Sequence, residues 1–330
     1  MTPQRRALLA IALSLLSALF FTATYVFNRA AALEGGHWAW TASLRYLFML
    51  PLLVPLMPWQ GGIAPVIKEM RTAPGAWLLW SGIGFVLFYM LLTHAAASGP
   101  AWLVAGSFQV TVVAGMLCAP LLYRDARARI PRAGFAIGLL ILAGVLLMQV
   151  GHAQGALDTD GWIALACVVA AAFAYPLGNR GLLLHLERQG TALNASQRVF
   201  GLTLASQPAF LALAAWAWWQ VGPPGMSQVW LAAGVALSAG VVATILFFQA
   251  TGMVRDNPTA LGAAEAMQGA EVLLAVLLGV AFLGEPWPGL QSRLGALLVM
   301  AGIVLFAWVV ARDAAHDQRQ VQALRSERGG

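Results

Sequence analysis

The chain has 330 residues, of which 60% are hydrophobic and only 10% are charged, whereas a typical soluble domain has about 25% charged residues. Apolar stretches of about 20 residues, the length that crosses a bilayer as a helix, fill most of the sequence and leave no room for a soluble domain. The formal charge of +6 comes from basic residues scattered over short connections, which argues against a nucleic-acid partner.

Successive apolar segments predict ten membrane-spanning helices, separated by connections that carry Gly, Pro and charged residues. The first span follows Arg5 and Arg6 as a signal peptide would, but it is too long for one and further spans follow it. The polar tail after the last span is expected to be disordered or a frayed helix. The predicted spans cover residues 7–27, 38–58, 75–95, 100–122, 133–151, 161–184, 196–220, 228–250, 258–282 and 290–311.

The basic residues are distributed unequally between the two sides on which successive connections alternate. One side receives most of the connecting Lys and Arg residues, and Arg180 is assigned to it. The other side receives only Arg29 and Arg293, while Arg45 and Arg198 fall inside spans. Because basic connections stay in the cytoplasm, we predict that both termini are cytoplasmic and that the protein lies in the plasma (bacterial inner) membrane.

The first half of the chain is echoed in the second at polar positions, which carry more weight than apolar matches between helices. Each half has Tyr and then Asn-Arg in its first span, Ser-x-Arg in its second span, and Pro followed by Gln in its fourth. The matched positions are Tyr25 and Tyr175, Asn28 and Asn179, Arg29 and Arg180, Ser43 and Ser196, Arg45 and Arg198, Pro100 and Pro258, and Gln109 and Gln268.

Five spans are an odd number, so the second copy must enter the membrane from the opposite side. We therefore predict an all-α integral membrane protein whose ten transmembrane helices form two inverted five-helix repeats. The repeats would cover residues 1–152 and 153–312, followed by a polar cytoplasmic tail at 313–330. In transporters, such repeats surround a site near the bilayer midplane and expose it alternately to each face.

The polar motifs at 20–29, 43–46 and 106–111, and above all Glu-Ala-Met-Gln-Gly-Ala-Glu at 265–271, resemble the drug/metabolite transporter superfamily. Within it, the chain resembles the ten-span, EamA-like multidrug resistance efflux transporters over residues 7–311. The resemblance implies efflux or exchange of small organic molecules and leaves open whether protons drive it. The related four-span proteins carry an essential glutamate in their first span, and this chain has none between Arg6 and Arg29.

Glu265 and Glu271 are the strongest candidates for a functional role inside the membrane. Ionisable groups there are energetically costly and usually face a cavity or a partner. At 1.5 Å per residue from Pro258, they lie about 10 Å and about 20 Å into their span and bracket its middle. A regular helix separates them by about 120°, so we expect one to face the cavity and the other a neighbouring helix. A coupling role and structural pairing with an arginine both stay open.

Arg45 and Arg198 are expected near opposite ends of their spans, where a long side chain can reach the membrane surface. Their depths suggest two ion pairs as a hypothesis, Arg198 with Glu265 and Arg45 with Glu271. Substrate-binding candidates with weaker support, each of which could equally or more simply be a packing residue, are the amides Asn28, Asn179, Gln109 and Gln268 and the aromatic residues Tyr25, Tyr175 and Trp102.

The predicted function is thus secondary active transport of a drug or metabolite by alternating access, with efflux as the expected direction. A lipid or lipid-precursor flippase is the alternative, and an intramembrane enzyme is a weaker one, because no catalytic motif is present. No catalytic residue, metal or cofactor is predicted, and Cys118 and Cys167 are interpreted as packing residues. The expected partners are the substrate, the lipid bilayer and, if coupled, protons, with the protein working as a monomer.

Overall fold

A computed structural model describes residues 3–97, 101–152 and 159–328, and all regular structure in these ranges is helical. By length and composition, nine of the described helices can cross a membrane, and the tenth begins with the shorter apolar stretch Leu290–Phe306. We number them α1 Gln4–Leu33, α2 Trp38–Gln60, α3 Pro74–Ala96, α4 Ala101–Leu122, α5 Arg132–Gly151, α6 Thr159–Arg188, α7 Ala195–Val221, α8 Met226–Met253, α9 Pro258–Leu283 and α10 Leu290–Arg328.

The ten predicted spans are confirmed to within a few residues, and a ten-helix integral membrane protein is the result. Of the two forms expected for the tail, disordered or helical, the helical form is found, because α10 continues to Arg328. Pro100 lies outside the described residues. The predicted boundary between the repeats, at 152–153, lies at the edge of another segment outside them.

Connections that should share one side of the membrane contact one another. At one end of the bundle, the Asn194 amide donates to the Gln60 carbonyl at 2.7 Å, and Glu187 pairs with Arg127 at 2.7 Å and with Arg255 at 3.1 Å. These residues lie at the ends of α2 and α6 or in the connections after α4, α6 and α8, as alternation requires. We call the side chains of Arg127, Glu187 and Arg255 the ion cluster.

At the opposite end of the bundle, contacts join residues near the ends of odd-numbered helices and in the connections that follow them. The Arg29 guanidinium donates to the Ala97 carbonyl at 3.2 Å and lies 4.0 Å from the Glu285 carboxylate. Glu285 also accepts the Ala101 backbone N–H at 2.9 Å. The two groups of connections therefore lie at two ends of the bundle, as successive membrane spans require.

Four helices depart from α geometry at corresponding places of the two predicted halves. The third helix of each half has π-helical turns, at Gly82–Leu87 in α3 and Ala236–Ala243 in α8. The fourth helix of each half is interrupted, at Gln109 in α4 and by a 3-10 turn at Met267–Gly269 in α9. Such irregularities in membrane helices are tolerated where neighbouring groups satisfy the freed backbone, and they often lie near functional sites.

Small residues let the helices approach each other closely. Inside a membrane, helix association has no hydrophobic driving force, so close van der Waals packing of this kind stabilises it. A Cβ on Gly84 of α3 would lie 2.9 Å from the Gly178 Cα of α6, and one on Gly144 of α5 would lie 2.7 Å from the Gly295 carbonyl of α10. Helices α5 and α10 pack extensively against each other. The remaining helices surround the centre of the bundle.

Candidate functional site

A small closed cavity lies among seven helices drawn from both predicted halves. Its volume is about 30 Å³, room for little more than one or two water molecules. Among the described residues, α5, α7 and α10 contribute nothing to its lining. The lining residues are Phe21, Thr24 and Tyr25 of α1, Arg45 of α2, Phe88 and Leu92 of α3, Phe108 and Thr111 of α4, Tyr175 and Pro176 of α6, Phe247 of α8, and Glu265, Gln268 and Glu271 of α9.

Aromatic rings form most of the cavity wall. The Tyr175 ring lies 4.7 Å from the Phe88 ring and 5.7 Å from the Phe247 ring, measured between centroids. It also meets Phe21 edge-on and Phe108 at a tilt, each with 6.3 Å between centroids. The Tyr175 hydroxyl is buried without a hydrogen-bond partner. The wall is therefore apolar with a few polar atoms directed inward, which is the usual composition of a small-molecule site.

Glu265 is held by Arg180 in a buried ion pair. The Arg180 Nη2 lies 2.7 Å from both carboxylate oxygens, and its Nε donates to Oε1 at 3.2 Å. Both side chains are only 6% exposed, and Arg180 Nη1 donates to the Gly115 carbonyl of α4. Multiple hydrogen bonds of this kind offset the cost of removing two charges from water.

This pair corrects two sequence-based expectations. The proposed pairing of Arg198 with Glu265 is wrong, because Arg180 occupies the carboxylate. Arg180 is a buried residue of α6 and not a connecting one, so it should not have counted toward the orientation. The repeated Asn-Arg motif was the signal that could have found it, but its position near the end of a predicted span suggested a connection.

Glu271 lines the same cavity as Glu265, contrary to the expectation that only one of them faces it. The 3-10 turn between them explains the difference. If three of the six steps turn by about 120° instead of about 100°, the separation around the axis falls from about 120° to about 60°. The Tyr25 hydroxyl interacts with the Glu271 carboxylate, and Glu271 Oε2 is buried without a hydrogen-bond partner.

Arg45 is a buried cavity residue, 2% exposed, and does not reach the membrane surface as expected. Its guanidinium lies 4.1 Å from the Tyr89 ring centroid and 5.4 Å from that of Tyr46, and it donates a long 3.5 Å hydrogen bond to the Thr24 hydroxyl. Arg45 Nε has no hydrogen-bond partner. The hypothesised ion pair with Glu271 is wrong, since among the described side chains no carboxylate lies within 4.0 Å of Arg45.

Arg198 is also buried, 4% exposed, but it lies outside the cavity lining. It donates to the Phe248 carbonyl of α8 at 2.8 Å, and its guanidinium lies 5.4 Å from the Phe248 ring. These contacts tie α7 to α8. The repeat-related arginines Arg45 and Arg198 therefore lie in different surroundings, with only the first directed at the site.

The four candidate amides divide between the cavity and the packing around it. Gln268 lines the cavity and donates to the Ser14 carbonyl at 3.2 Å, leaving its Oε1 without a partner. Gln109 donates to the Gln268 carbonyl at 3.1 Å and so joins the two helix interruptions. Asn28 accepts from the Tyr89 hydroxyl at 3.1 Å, and Asn179 is buried outside the lining.

Of the three aromatic candidates, Tyr25 and Tyr175 line the cavity, whereas Trp102 is buried in α4 away from it. The structure thus brings Glu265, Glu271, Gln268, Arg45, Tyr25 and Tyr175 together. It leaves Asn28, Asn179, Gln109, Arg198 and Trp102 in the surrounding packing. Sequence reasoning missed Arg180 and the phenylalanines of the wall, because single apolar residues carry no distinguishing pattern.

The fold is that of a polytopic membrane protein whose helices surround a small cavity. The chain matches the EmrE family, described as "Putative multidrug resistance efflux transporter", over residues 8–312, and it belongs to that family. This is a family of small-molecule transporters and not of enzymes, as the sequence predicted.

Two relatives and one solved structure are similar over most of the chain. The "Uncharacterized protein YjlA" of Bacillus subtilis (strain 168) is 44% identical, covering 90% of this chain and 93% of its own. The "Uncharacterized 42.1 kDa protein in intracellular alkaline protease 3'region" of Shouchella clausii is 39% identical, covering 76% of this chain and 66% of its own. A crystal structure with 16% identity superposes with a TM-score of 0.64, covers 91% of this chain and 98% of its own, and shows the shared fold.

Proposed function

We propose that this protein is a secondary active carrier that moves a small organic molecule across the membrane by alternating access to the central cavity. The observation that carries the proposal is that helices of both predicted halves line the cavity. The matching π-helical turns and interruptions support two inverted repeats, 1–152 and 153–312, that can rock about this site.

The closed form of the cavity fits one state of such a cycle. A volume of about 30 Å³ cannot hold an organic substrate, so binding requires the lining helices to separate. The ion cluster joins the connections at one end, and the contacts of Glu285 join those at the other. Releasing one set while keeping the other would open the cavity to one side at a time.

Proton coupling in this proposal belongs to Glu271. Its carboxylate faces Tyr25 of α1, Arg45 of α2 and Tyr175 of α6 around the cavity, and Glu265 on its own helix is already paired with Arg180. Protonating a carboxylate in a dry cavity removes a charge that would otherwise be costly to enclose. A proton and a substrate that both require Glu271 would then exclude each other, which gives exchange in opposite directions.

Efflux from the cytoplasm through the bacterial inner membrane is the proposed direction, with both termini cytoplasmic. The excess of basic residues at one end of the bundle, where the ion cluster lies, supports this orientation. Because one chain supplies both halves of the cavity, a monomer suffices.

The test is flux of a drug and metabolite panel into proteoliposomes, with and without a pH gradient. Wild type is compared with Glu271→Gln and with Glu69→Gln, a matched control whose buried carboxylate accepts from Thr191 far from the cavity lining. Gradient-driven flux should be lost in Glu271→Gln and kept in Glu69→Gln. Equal gradient-driven flux in all three proteins would exclude Glu271 as the coupling residue, and no flux of any compound would reject the carrier.

A further inference from the structure

Two ionisable side chains of opposite type, Glu271 and Arg45, line the cavity without an ionic partner among the described side chains. Glu271 interacts with an uncharged hydroxyl, that of Tyr25, and keeps one oxygen without a hydrogen bond. Arg45 lies against aromatic rings and keeps its Nε without one. They are on different helices, α2 and α9, and they do not pair with each other.

The remaining buried charges are satisfied or lie elsewhere. Arg180 neutralises Glu265, and Arg198 donates to a backbone carbonyl outside the cavity. An uncompensated charge inside a membrane protein is costly, and such residues usually face a ligand pathway. The cavity therefore holds one cation and, once Glu271 has released its proton, one anion available to a ligand.

From this arrangement we infer that the substrate is a small organic zwitterion with an apolar, preferably aromatic, body. Its ammonium group binds the Glu271 carboxylate, its carboxylate binds the Arg45 guanidinium, and its body packs against Phe88, Phe247 and Tyr175. This inference rests on the carrier function proposed above and specifies the substrate class for that same site.

A ligand with a single charge fits the cavity less well. An organic cation would satisfy Glu271 and leave Arg45 enclosed without a counter-ion, and an organic anion would do the reverse. Leaving one member of a buried polar set unpaired costs most of what the other contact contributes. A zwitterion satisfies both and enters with no net charge, which also lowers the cost of its own transfer into the membrane interior.

The experiment uses the purified full chain in detergent and isothermal titration calorimetry with three probes that share one aromatic body. L-Phenylalanine carries both charges, 2-phenylethylamine carries only the ammonium, and N-acetyl-L-phenylalanine carries only the carboxylate. We expect L-phenylalanine to bind at least tenfold more tightly than either of the others. Equal or tighter binding of a singly charged probe, or no binding of L-phenylalanine, would overturn the inference.

Two variants assign the ends of the ligand. Arg45→Gln should weaken L-phenylalanine and N-acetyl-L-phenylalanine at least tenfold and tighten 2-phenylethylamine, because no unpaired guanidinium remains beside the bound cation. Glu271→Gln should weaken L-phenylalanine and 2-phenylethylamine and tighten the acetylated probe for the corresponding reason. Arg198→Gln is the matched control for removal of a buried arginine, and it should keep the wild-type order. If either variant fails to fold, the order of the three probes on the wild type alone decides the question.

Counterflow of the same probes in proteoliposomes separates the two proposals. Transport of 2-phenylethylamine without transport of L-phenylalanine would uphold the carrier and overturn the zwitterion. Tight, two-ended binding of L-phenylalanine without any counterflow would uphold the ligand class and overturn the carrier.

Discussion

Arg180 and Glu265 join α6 and α9 through a two-oxygen ion pair, and Arg180 also donates to the Gly115 carbonyl of α4. One guanidinium therefore holds a helix of the first predicted half against two helices of the second. The pair borders the cavity but is fully engaged, which separates it chemically from Glu271 a short distance along the same helix.

Removing one member of this pair should destabilise the protein far more than removing both. We expect Glu265→Leu or Arg180→Met to cost about 3–5 kcal/mol, because each leaves an uncompensated buried charge. The double variant Arg180→Met with Glu265→Leu should recover most of that loss. The measurement is thermal unfolding of the four proteins in one detergent, treated as a double-mutant cycle. Additive losses would show that the two side chains do not depend on each other.

Gly115 provides a second test of the pair that removes no charge. A Cβ at this position would lie 2.5 Å from Glu265 Oε2 and 3.1 Å from Arg180 Nη2, so Gly115→Ala must displace the ion pair. A matched control is Gly82→Ala, where the added carbon has no heavy atom within 4 Å. We expect a lower melting temperature for Gly115→Ala and an unchanged or slightly higher one for Gly82→Ala, because alanine favours helix over glycine. Equal melting temperatures would contradict the described packing.

Glu285 should give the end of the bundle at Arg29 a pH dependence. Burial raises the pKa of this carboxyl above its ordinary value, more than the Ala101 N–H and the Arg29 guanidinium lower it. Its ionised form, which accepts from Ala101 and attracts Arg29, is therefore lost at a higher pH than for an ordinary glutamate as the solution is acidified. Because the closed end binds the Glu285 proton more tightly than an exposed carboxyl does, the closed end is most stable at low pH and loses stability as the pH rises through the raised pKa. Hydrogen exchange at the Ala101 amide, corrected for intrinsic rates, should therefore show protection that falls with increasing pH through this range. Glu285→Gln should abolish the pH dependence, and a pH-dependent profile in that variant would assign it to another group.

The ion cluster at the other end should affect opening more than stability. Glu187 is partly buried, 21% exposed at its side chain, so Glu187→Gln should cost somewhat more than the ~0–1 kcal/mol of a fully exposed pair and lower the melting temperature slightly. It frees Arg127 and Arg255 from each other's connection, although Arg127 keeps its pair with Asp125, and should make a cysteine placed on the cavity side of this end react faster with a water-soluble maleimide. Unchanged labelling would mean that the cluster does not hold this end closed.

The helices were predictable from the sequence because every backbone group in a membrane must be satisfied within its own segment, so apolar length fixes each span. The site was only partly predictable. Glu265 and Glu271 stand out as charges in an apolar run, but their directions depend on the 3-10 turn at Met267–Gly269, which no propensity in Met-Gln-Gly reveals. The partner of Glu265 depends on how α6 is rotated toward α9, and depth alone suggested Arg198 instead of Arg180.

The 3-10 turn of α9 also limits which sequence changes this segment can accept. Replacing a side chain within the turn leaves the direction of Glu271 around the α9 axis unchanged. Inserting or deleting one residue would instead rotate Glu271 by about 100° around α9 and turn it away from Tyr25 and Arg45. Substitution within the turn should therefore be tolerated far better than any change in its length. The number of residues between the two glutamates therefore determines the direction of Glu271 relative to the ion-paired Glu265 around α9.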